Sequence, residues 1–153
     1  MKPATPGAKS KRWHELSVLV VGCGSIGLRH VRVLRSLGVV DLRIAEPLAA
    51  RRALVKSEEV IVAEYADLAA GLADRPDAAI ICTPPRLHIE QASLTLQKGV
   101  HVFLEKPLAE TLAQVRGLRQ TIRASRRVFA VGYCMRHHEA LSRAKQQVDA
   151  GRV

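Results

Sequence analysis

The sequence is poor in cysteine and in aromatic residues, and it contains no long hydrophobic run. Its three cysteines are widely spaced and odd in number, which argues against a secreted scaffold held by disulfides. No Cys-x-x-Cys pair and no Cys/His cluster with ligand spacing occurs, so we predict no metal site. No apolar stretch approaches the roughly 20 residues that span a membrane as a helix. The 153 residues are therefore expected to form one soluble, cytoplasmic domain.

Acidic residues are also few: 14 aspartates and glutamates face 24 lysines and arginines, which gives a net charge of +10. Such an excess is typical of proteins that bind nucleic acid. Residues 16–115 carry no net charge, however, so the excess lies near the two ends. Arg116, Arg119 and Arg123 have the spacing of one helix face, but no aromatic residue is interleaved with them. A basic nucleic-acid-binding protein stays open as an alternative that the charge pattern disfavours.

Short apolar runs alternate with segments of helical periodicity from residue 16 onward. Residues 1–15 are predicted to be a disordered leader, and residues 16–153 a single domain. The runs predict six strands, at residues 18–21, 41–46, 60–63, 78–82, 101–104 and 128–133. Helical patterns follow these strands at residues 25–37, 48–56, 65–73, 83–98, 111–125 and 139–150. This alternation predicts an α/β fold with a doubly wound parallel sheet.

The first predicted strand is followed at once by a glycine-rich turn that opens the first helix. The turn matches the pattern Gly-x-Gly-x-x-Gly and reads Gly22-Cys23-Gly24-Ser25-Ile26-Gly27. In that pattern the first glycine permits a tight turn, the second lets the backbone approach a diphosphate, and the third brings helix and strand together. The helix N-terminus adds free N–H groups and partial positive charge. We therefore predict that residues 22–27 bind a dinucleotide diphosphate, and that the helix end lowers the pKa of the Cys23 thiol.

A carboxylate, Glu46, ends the second predicted strand about 20 residues after the last glycine of the turn. A carboxylate at this place accepts hydrogen bonds from the hydroxyls of the adenosine ribose and repels a 2′-phosphate. The sequence therefore favours NAD over NADP as the cofactor. Arg51 and Arg52 follow closely and can pair with a phosphate, so we count Arg51 among the cofactor-binding residues and leave NADP open.

Two further motifs lie at the ends of later predicted strands. One reads Thr-Pro-x-x-x-His at residues 83–88, and the other reads Glu-Lys-Pro at residues 105–107. Together with the glycine turn and the segment Gly-Tyr-Cys-Met-Arg at residues 132–136, they make residues 17–153 resemble the Gfo/Idh/MocA oxidoreductases, relatives of glucose–fructose oxidoreductase and inositol dehydrogenase. The Glu-Lys-Pro triplet is the most specific of these features. The resemblance implies a Rossmann dinucleotide-binding domain, which in family members is followed by a second domain built on an open antiparallel sheet.

The resemblance also implies an activity, namely NAD(P)-dependent hydride transfer between a nicotinamide and a carbinol of a sugar, an inositol or a nucleotide sugar. It implies that Lys106 contacts the reacting hydroxyl and assists the proton transfer that accompanies hydride transfer. The other implied positions are the cofactor-lining Thr83, Pro84, His88 and Glu105 and the substrate-side Tyr133 and Arg136. The residues themselves leave simpler interpretations open: a loop lysine for Lys106, a packing or capping histidine for His88, and a surface charge for Arg136.

The chain ends at Val153, where the second domain of the family would begin. We therefore expect a truncated gene product or an isolated N-terminal domain that binds a dinucleotide. Such a domain would turn over a sugar-like substrate only weakly unless a second domain is supplied, because catalysis needs groups on both sides of the reacting carbon. A non-catalytic NAD(H)-binding or redox-sensing module stays open as an alternative, and so does homo-oligomerisation.

Overall fold

The structure, a computed structural model, describes residues 11–152. The strands within these residues are β1 (Ser17–Val21), β2 (Asp41–Ala45), β3 (Ala63–Tyr65), β4 (Ala78–Ile81), β5 (His101–Leu104) and β6 (Phe129–Val131). The α-helices are α1 (Ser25–Ser36), α2 (Ala49–Glu58), α3 (Leu68–Ala73), α4 (His88–Gln97), α5 (Val115–Ser125) and α6 (Glu139–Asp149). Short 3₁₀ turns form at Trp13–Glu15, Pro85–Leu87 and Cys134–His137.

The strands form one parallel sheet in the order β3-β2-β1-β4-β5-β6. The chain moves outward from β1 through β2 to β3, returns to place β4 on the other side of β1, and then continues outward to β6. The strand order therefore reverses between β1 and β4, which opens a crevice at the carboxyl ends of these strands. The predicted doubly wound parallel sheet of the Rossmann type is confirmed.

The central strand β1 is buried along its whole length. Because successive residues of a strand point to opposite faces, β1 contributes to two core layers. Leu19 belongs to the layer that includes Leu96 of α4 and Leu118 of α5. Val20 belongs to the opposite layer, which includes Val31 of α1. Helices on both faces thus hold β1 in place, and its carboxyl end presents the glycine turn at the edge of the sheet.

The third strand and the helix after it begin later than the sequence predicts. The prediction placed the strand at residues 60–63, but Val60 is 68% exposed and the paired residues are Ala63–Tyr65, which lie alongside β2. Val62 is also exposed and Ile61 packs against the core from outside the strand, so the apolar run does not mark a buried strand. The following helix starts at Leu68 because the side chain of Asp67 caps it, accepting a hydrogen bond from the N–H of Ala70 at 2.8 Å.

The start of the described chain corrects part of the predicted disordered leader. Residues 1–10 of that leader lie outside the described residues. Within residues 11–15, Trp13–Glu15 form a 3₁₀ turn, and Lys11 pairs with Asp77 at 2.8 Å. Asp77 also accepts a hydrogen bond from the N–H of Ser17 at 2.9 Å, so this segment is tied to the first residue of β1. None of the helices between residues 11 and 152 has the length and apolar character needed to cross a membrane.

Candidate functional site

A cleft of about 560 Å³ lies at the carboxyl ends of β1, β2 and β4. Its walls include Gly22 and Gly24 after β1, Glu46 after β2, and Thr83 and Pro84 after β4. The cleft therefore occupies the crevice where the strand order reverses. Its volume falls within the range of about 300–1,000 Å³ that is usual for small-molecule and cofactor sites.

Two glycines of the turn are required by the packing of the fold itself. Gly22 has a φ of +84°, and a Cβ there would lie 3.1 Å from the backbone of Cys82. Gly27 is buried in the first turn of α1, where a Cβ would lie 1.9 Å from the carbonyl oxygen of Gly22. Only glycine at position 27 lets α1 begin this close to the end of β1. The N-terminus of α1 is consequently held beside the cleft.

Gly24 is not required by packing. Its φ of −68° and ψ of −170° are open to any residue, and a Cβ there would meet no protein atom within 4 Å. Gly24 also lines the cleft. The N–H groups of the first helical turn, which begins at Ser25, have no acceptor within the helix, and Gly24 offers no side chain to cap them. These donors and the positive end of α1 form an anion site that fits a dinucleotide diphosphate.

Glu46 lies at the tip of β2 and is only 2% exposed. Its Oε2 accepts a hydrogen bond from the N–H of Cys23 at 2.8 Å, and its Oε1 accepts one from the N–H of Leu48 at 3.0 Å. Each carboxylate oxygen can accept two hydrogen bonds, so neither oxygen is saturated by these backbone contacts. The carboxylate is thus fixed in the wall of the cleft before any ligand binds.

The side chains of the two arginines that follow Glu46 make different contacts. Arg51 is exposed in the wall of the cleft, with its Nη1 3.9 Å from Oε1 of Glu46. Arg52 donates from Nη1 to the carbonyl oxygens of Glu46 and Pro47, at 2.7 and 3.1 Å. Arg52 therefore holds the loop after β2, and Arg51 is the arginine that can meet a phosphate.

The predicted low pKa of the Cys23 thiol is wrong. Cys23 is buried, and burial together with the nearby carboxylate of Glu46 raises the pKa of its thiol to about 12. Burial and the charge of Glu105 likewise raise the pKa of Cys82 to about 12. The side chain of Cys23 points into the protein, and its N–H is already bonded to Glu46. Both thiols are protonated at neutral pH, which leaves them unreactive.

Thr83 and Pro84 line the cleft, whereas His88 does not. His88 is 1% exposed, with Nδ1 lying 2.7 Å from the carbonyl oxygen of Pro107 and Nε2 lying 2.8 Å from that of Thr83. The resemblance implied a cofactor-lining role, and the structure corrects it to a position beneath the wall. His88 connects the loop after β4 to the loop after β5. Thr83 is fixed further by its hydroxyl, which donates to Oε1 of Gln91 at 2.5 Å.

Glu105 and Lys106 follow β5, next to β4 in the sheet. Oε1 of Glu105 lies 2.8 Å from Nε2 of His30 on α1, and Oε2 accepts a hydrogen bond from the N–H of Lys106 at 3.2 Å. The side chain of Lys106 is exposed. His30 was not predicted as a site residue. Its signal is its position three residues after Gly27, on the face of α1 that meets the sheet.

The chain also matches the model of an oxidoreductase family with an NAD-binding Rossmann fold, GFO_IDH_MocA, over residues 16–133. The chain belongs to this family. It is 29% identical over 140 residues to 4-carboxy-2-hydroxymuconate-6-semialdehyde dehydrogenase of a Sphingobium species, covering 90% of this chain and 44% of that protein. It is 26% identical over 144 residues to scyllo-inositol 2-dehydrogenase (NAD(+)) of Bacillus subtilis, covering 92% of this chain and 42% of that protein.

A solved structure extends the likeness to the fold. The crystal structure of myo-inositol 2-dehydrogenase from Lactobacillus plantarum superposes with a TM-score of 0.83 at 25% identity, covering 90% of this chain and 42% of that one. The chain thus spans less than half the length of these GFO_IDH_MocA relatives. What it shares with them is the NAD-binding Rossmann domain.

Two residues that the GFO_IDH_MocA resemblance assigns to the substrate side lie away from the cleft walls. Tyr133 is 51% exposed after β6, and Arg136 is exposed in the 3₁₀ turn that follows. The N–H of Arg136 donates to the carbonyl oxygen of Tyr133 at 3.0 Å, so the two belong to one surface segment. They lie one strand beyond Glu105 and Lys106, at the same edge of the sheet.

Two other kinds of candidate site were considered, a metal site and a second cleft. Between residues 11 and 152, no three His, Cys, Asp or Glu side chains lie close enough together to hold a metal ion. A cleft of about 730 Å³ lies at the opposite edge of the sheet, near the amino ends of β4 and β5, and includes Lys98 and Arg127. Lys98 ends α4, where a cation offsets the partial negative charge of the helix C-terminus. That cleft lacks both a helix N-terminus and a glycine turn.

Proposed function

We propose that this NAD-binding domain serves a dehydrogenase that transfers hydride between NAD and a carbinol of an inositol, a sugar or a nucleotide sugar. The observation that carries the proposal is the empty space at Gly24, beside the N-terminus of α1 and one residue from the N–H that binds Glu46. A domain that needed only a tight turn after β1 would not need glycine at this position. The inositol dehydrogenase activity named for several relatives supports the substrate class.

Different residues of the cleft are proposed to bind different parts of the dinucleotide. When bound, NAD would supply the nicotinamide ring that accepts hydride from the carbinol carbon. The N–H groups at the start of α1 bind its diphosphate, and Glu46 accepts hydrogen bonds from the hydroxyls of its adenosine ribose. Thr83 and Pro84 form the wall on the side of β4. Glu105 and Lys106 follow the next strand, at the end of the site where the nicotinamide half belongs.

Oxidation of a carbinol requires that the hydroxyl lose its proton as the hydride leaves. We propose that Nζ of Lys106 contacts this hydroxyl and exchanges the proton, while Glu105 fixes the backbone of Lys106. Tyr133 and Arg136 follow the neighbouring strand and are proposed to meet the substrate from that side. Because these two side chains stand in solvent, the chain alone is expected to orient a substrate poorly and to turn it over weakly.

Calorimetric titration of the purified chain with NAD, NADH, NADP and a DNA duplex tests the binding part of this proposal. We expect saturable binding of NAD and NADH, weaker binding of NADP, and no binding of DNA at physiological salt. A hundredfold excess of NAD over its Kd should stabilise the fold by about 2.7 kcal/mol. Tighter binding of DNA than of NAD would support the nucleic-acid alternative, which rests on the exposed arginines of α5.

The substrate class is tested by the appearance of reduced nicotinamide when the chain and NAD are mixed with myo-inositol, scyllo-inositol or glucose. We expect slow turnover with at least one of these polyols and none in the Lys106→Ala variant. Binding of NAD together with turnover that does not depend on Lys106 would contradict the role proposed for this lysine. Binding of NAD without any turnover would favour the non-catalytic NAD(H)-binding module.

A further inference from the structure

The segment that carries Lys106 is held from two sides by two histidines on different helices. His88 from α4 contacts the carbonyl oxygen of Pro107, and His30 from α1 contacts the carboxylate of Glu105. The first contact joins the loops after β4 and β5. The second joins the segment to the same helix whose N-terminus forms the phosphate site.

We propose that His30 is a positioning residue for the nicotinamide half of the site, through its contact with Glu105. The inference rests on the proposed function, because it assumes that the segment of Glu105 and Lys106 meets the nicotinamide half of NAD. It adds that α1 has two roles in the site. Its first turn binds the diphosphate, and its second turn holds the segment that carries the proton-transferring lysine.

The carboxylate of Glu105 is held in one position by its neighbours. Nε2 of His30 lies 2.8 Å from its Oε1, and the side chains of His30 and Glu105 are only 22% and 18% exposed. Gly132 closes the other side, since a Cβ there would lie 3.3 Å from the same oxygen. The backbone N–H of Glu105 donates to the carbonyl oxygen of Ile81 at 2.9 Å. Within residues 11–152, His30 is the side chain that hydrogen-bonds this carboxylate, and its other hydrogen-bond partner is the backbone N–H of Lys106.

The imidazole of His30 is itself oriented by the sheet. Its ring meets the ring of Phe103 edge-on, with the ring centroids 5.6 Å apart. Phe103 lies on β5 two residues before Glu105, so the same strand orients the histidine and presents its partner. Loss of His30 would leave the largely buried carboxylate without its side-chain partner, and it would turn toward solvent. The hydrogen bond from the N–H of Lys106 to Oε2 of Glu105 would then be lost as well.

The contact of His88 with Pro107 does not depend on His30, so removal of His30 should loosen the segment without unfolding the site. The effect should therefore fall on the nicotinamide half of the ligand alone. ADP carries the adenosine and the diphosphate but lacks the nicotinamide half, so it reports on the rest of the cleft. Comparison of NAD with ADP thus separates a positioning role from general support of α1.

The test is calorimetric titration of NAD and of ADP into the wild-type chain and three variants. His30→Phe keeps a ring against Phe103 but cannot donate to Glu105, whereas His30→Gln places an amide N–H at a similar reach. Val33→Ala is the matched control, because Val33 lies on the same helix and is 44% exposed. We expect His30→Phe to weaken NAD about tenfold, the effect of losing a hydrogen bond to a charged group, and to leave ADP unchanged. His30→Gln should restore most of the NAD affinity, and Val33→Ala should change neither ligand.

Equal weakening of NAD and ADP in His30→Phe would overturn the inference, because it would mean that His30 only supports α1. Unchanged NAD affinity in His30→Phe would overturn it too, as would failure of His30→Gln to recover NAD affinity. These outcomes leave the proposed function intact, since the wild-type chain still binds NAD. Absence of NAD binding by the wild-type chain would contradict the proposed function and this inference together. If His30→Phe does not fold, as judged by circular dichroism, His30→Ala takes its place, because it also cannot donate to Glu105 and alanine is well tolerated in a helix; the same results support or overturn the inference.

Discussion

The carboxylate of Glu46 accepts a hydrogen bond from the backbone N–H of Cys23 at 2.8 Å, which joins the tip of β2 to the glycine turn after β1. The two residues belong to adjacent parallel strands whose carboxyl ends meet at one edge of the sheet. This bond places a buried, oriented carboxylate next to the N-terminus of α1. The carboxylate proposed to bind the ribose and the helix N-terminus proposed to bind the diphosphate are therefore parts of one hydrogen-bonded unit.

Replacement of glycines in this unit should separate ligand binding from folding. Gly24→Ala introduces a Cβ into empty space, so we expect an unchanged free energy of unfolding and a loss of NAD affinity of at least about tenfold. Gly27→Ala forces a Cβ against the carbonyl oxygen of Gly22 and should destabilise the fold by about 3 kcal/mol. Urea unfolding and calorimetry measure the two effects. A Gly24→Ala variant that binds NAD as tightly as the wild type would show that the diphosphate lies elsewhere.

Neutralising Glu46 should change cofactor preference. Glu46→Gln keeps the size of the side chain but removes the charge that disfavours a 2′-phosphate, so we expect NAD to weaken about tenfold and NADP to bind relatively better. Glu139→Gln, which changes an exposed carboxylate on α6, is the control and should change neither affinity. A preference for NAD that is the same in Glu46→Gln and in the wild type would be inconsistent with the assigned role.

The buried thiol of Cys23 and the half-buried thiol of Cys82 should respond to pH in a defined direction. Burial raises the pKa of Cys23 and Cys82 to about 12, above the value of 9.0 for a free thiol, so the folded state favours the protonated form. Their contribution to stability is complete below pH 9 and is lost as the pH rises toward 12. Alkylation at pH 8 should label the exposed Cys134 and spare the other two, as peptide mass spectrometry would show. Rapid labelling of Cys23 in the folded chain would argue against its burial.

Asp77 should stabilise the fold at neutral pH and lose this contribution in acid. Burial alone would raise its pKa, but the hydrogen bonds from Lys11 and Ser17 outweigh burial and lower it below 3.8. The stabilisation is therefore present above about pH 4 and is lost as the pH falls through the lowered value. Asp77→Asn should cost about 1–2 kcal/mol of unfolding free energy at pH 7. Asp149→Asn, which breaks an exposed ion pair within α6, should cost less than about 0.5 kcal/mol.

Features that depend on local sequence and periodicity were predictable. The glycine turn, the parallel arrangement of the strands and the acid at Glu46 follow from motif spacing and from the alternation of strands with helices. The third strand was not predictable from its apolar run, because pairing with β2 rather than hydrophobicity decides where it starts. The spacing of His88 likewise did not show that its ring would be enclosed by two carbonyl groups from separate loops.

The misprediction for Cys23 has a similar origin. A helix N-terminus lowers the pKa of a thiol that faces it in solvent, but the Cys23 side chain is buried, and the carboxylate of Glu46 raises its pKa further. That carboxylate lies 23 residues away in the sequence and reaches the turn only through the pairing of β1 with β2. Long-range contacts of this kind also account for His30, whose partner Glu105 lies on the other side of the strand reversal.

An NMR titration of the isotope-labelled chain with NAD, which follows each backbone amide, tests directly whether the diphosphate binds at the start of α1. We expect the largest chemical-shift changes on the amides of Gly24, Ser25 and Ile26, with further changes after β2 and β4. Changes confined to α5, or to the cleft at the amino ends of β4 and β5, would contradict it.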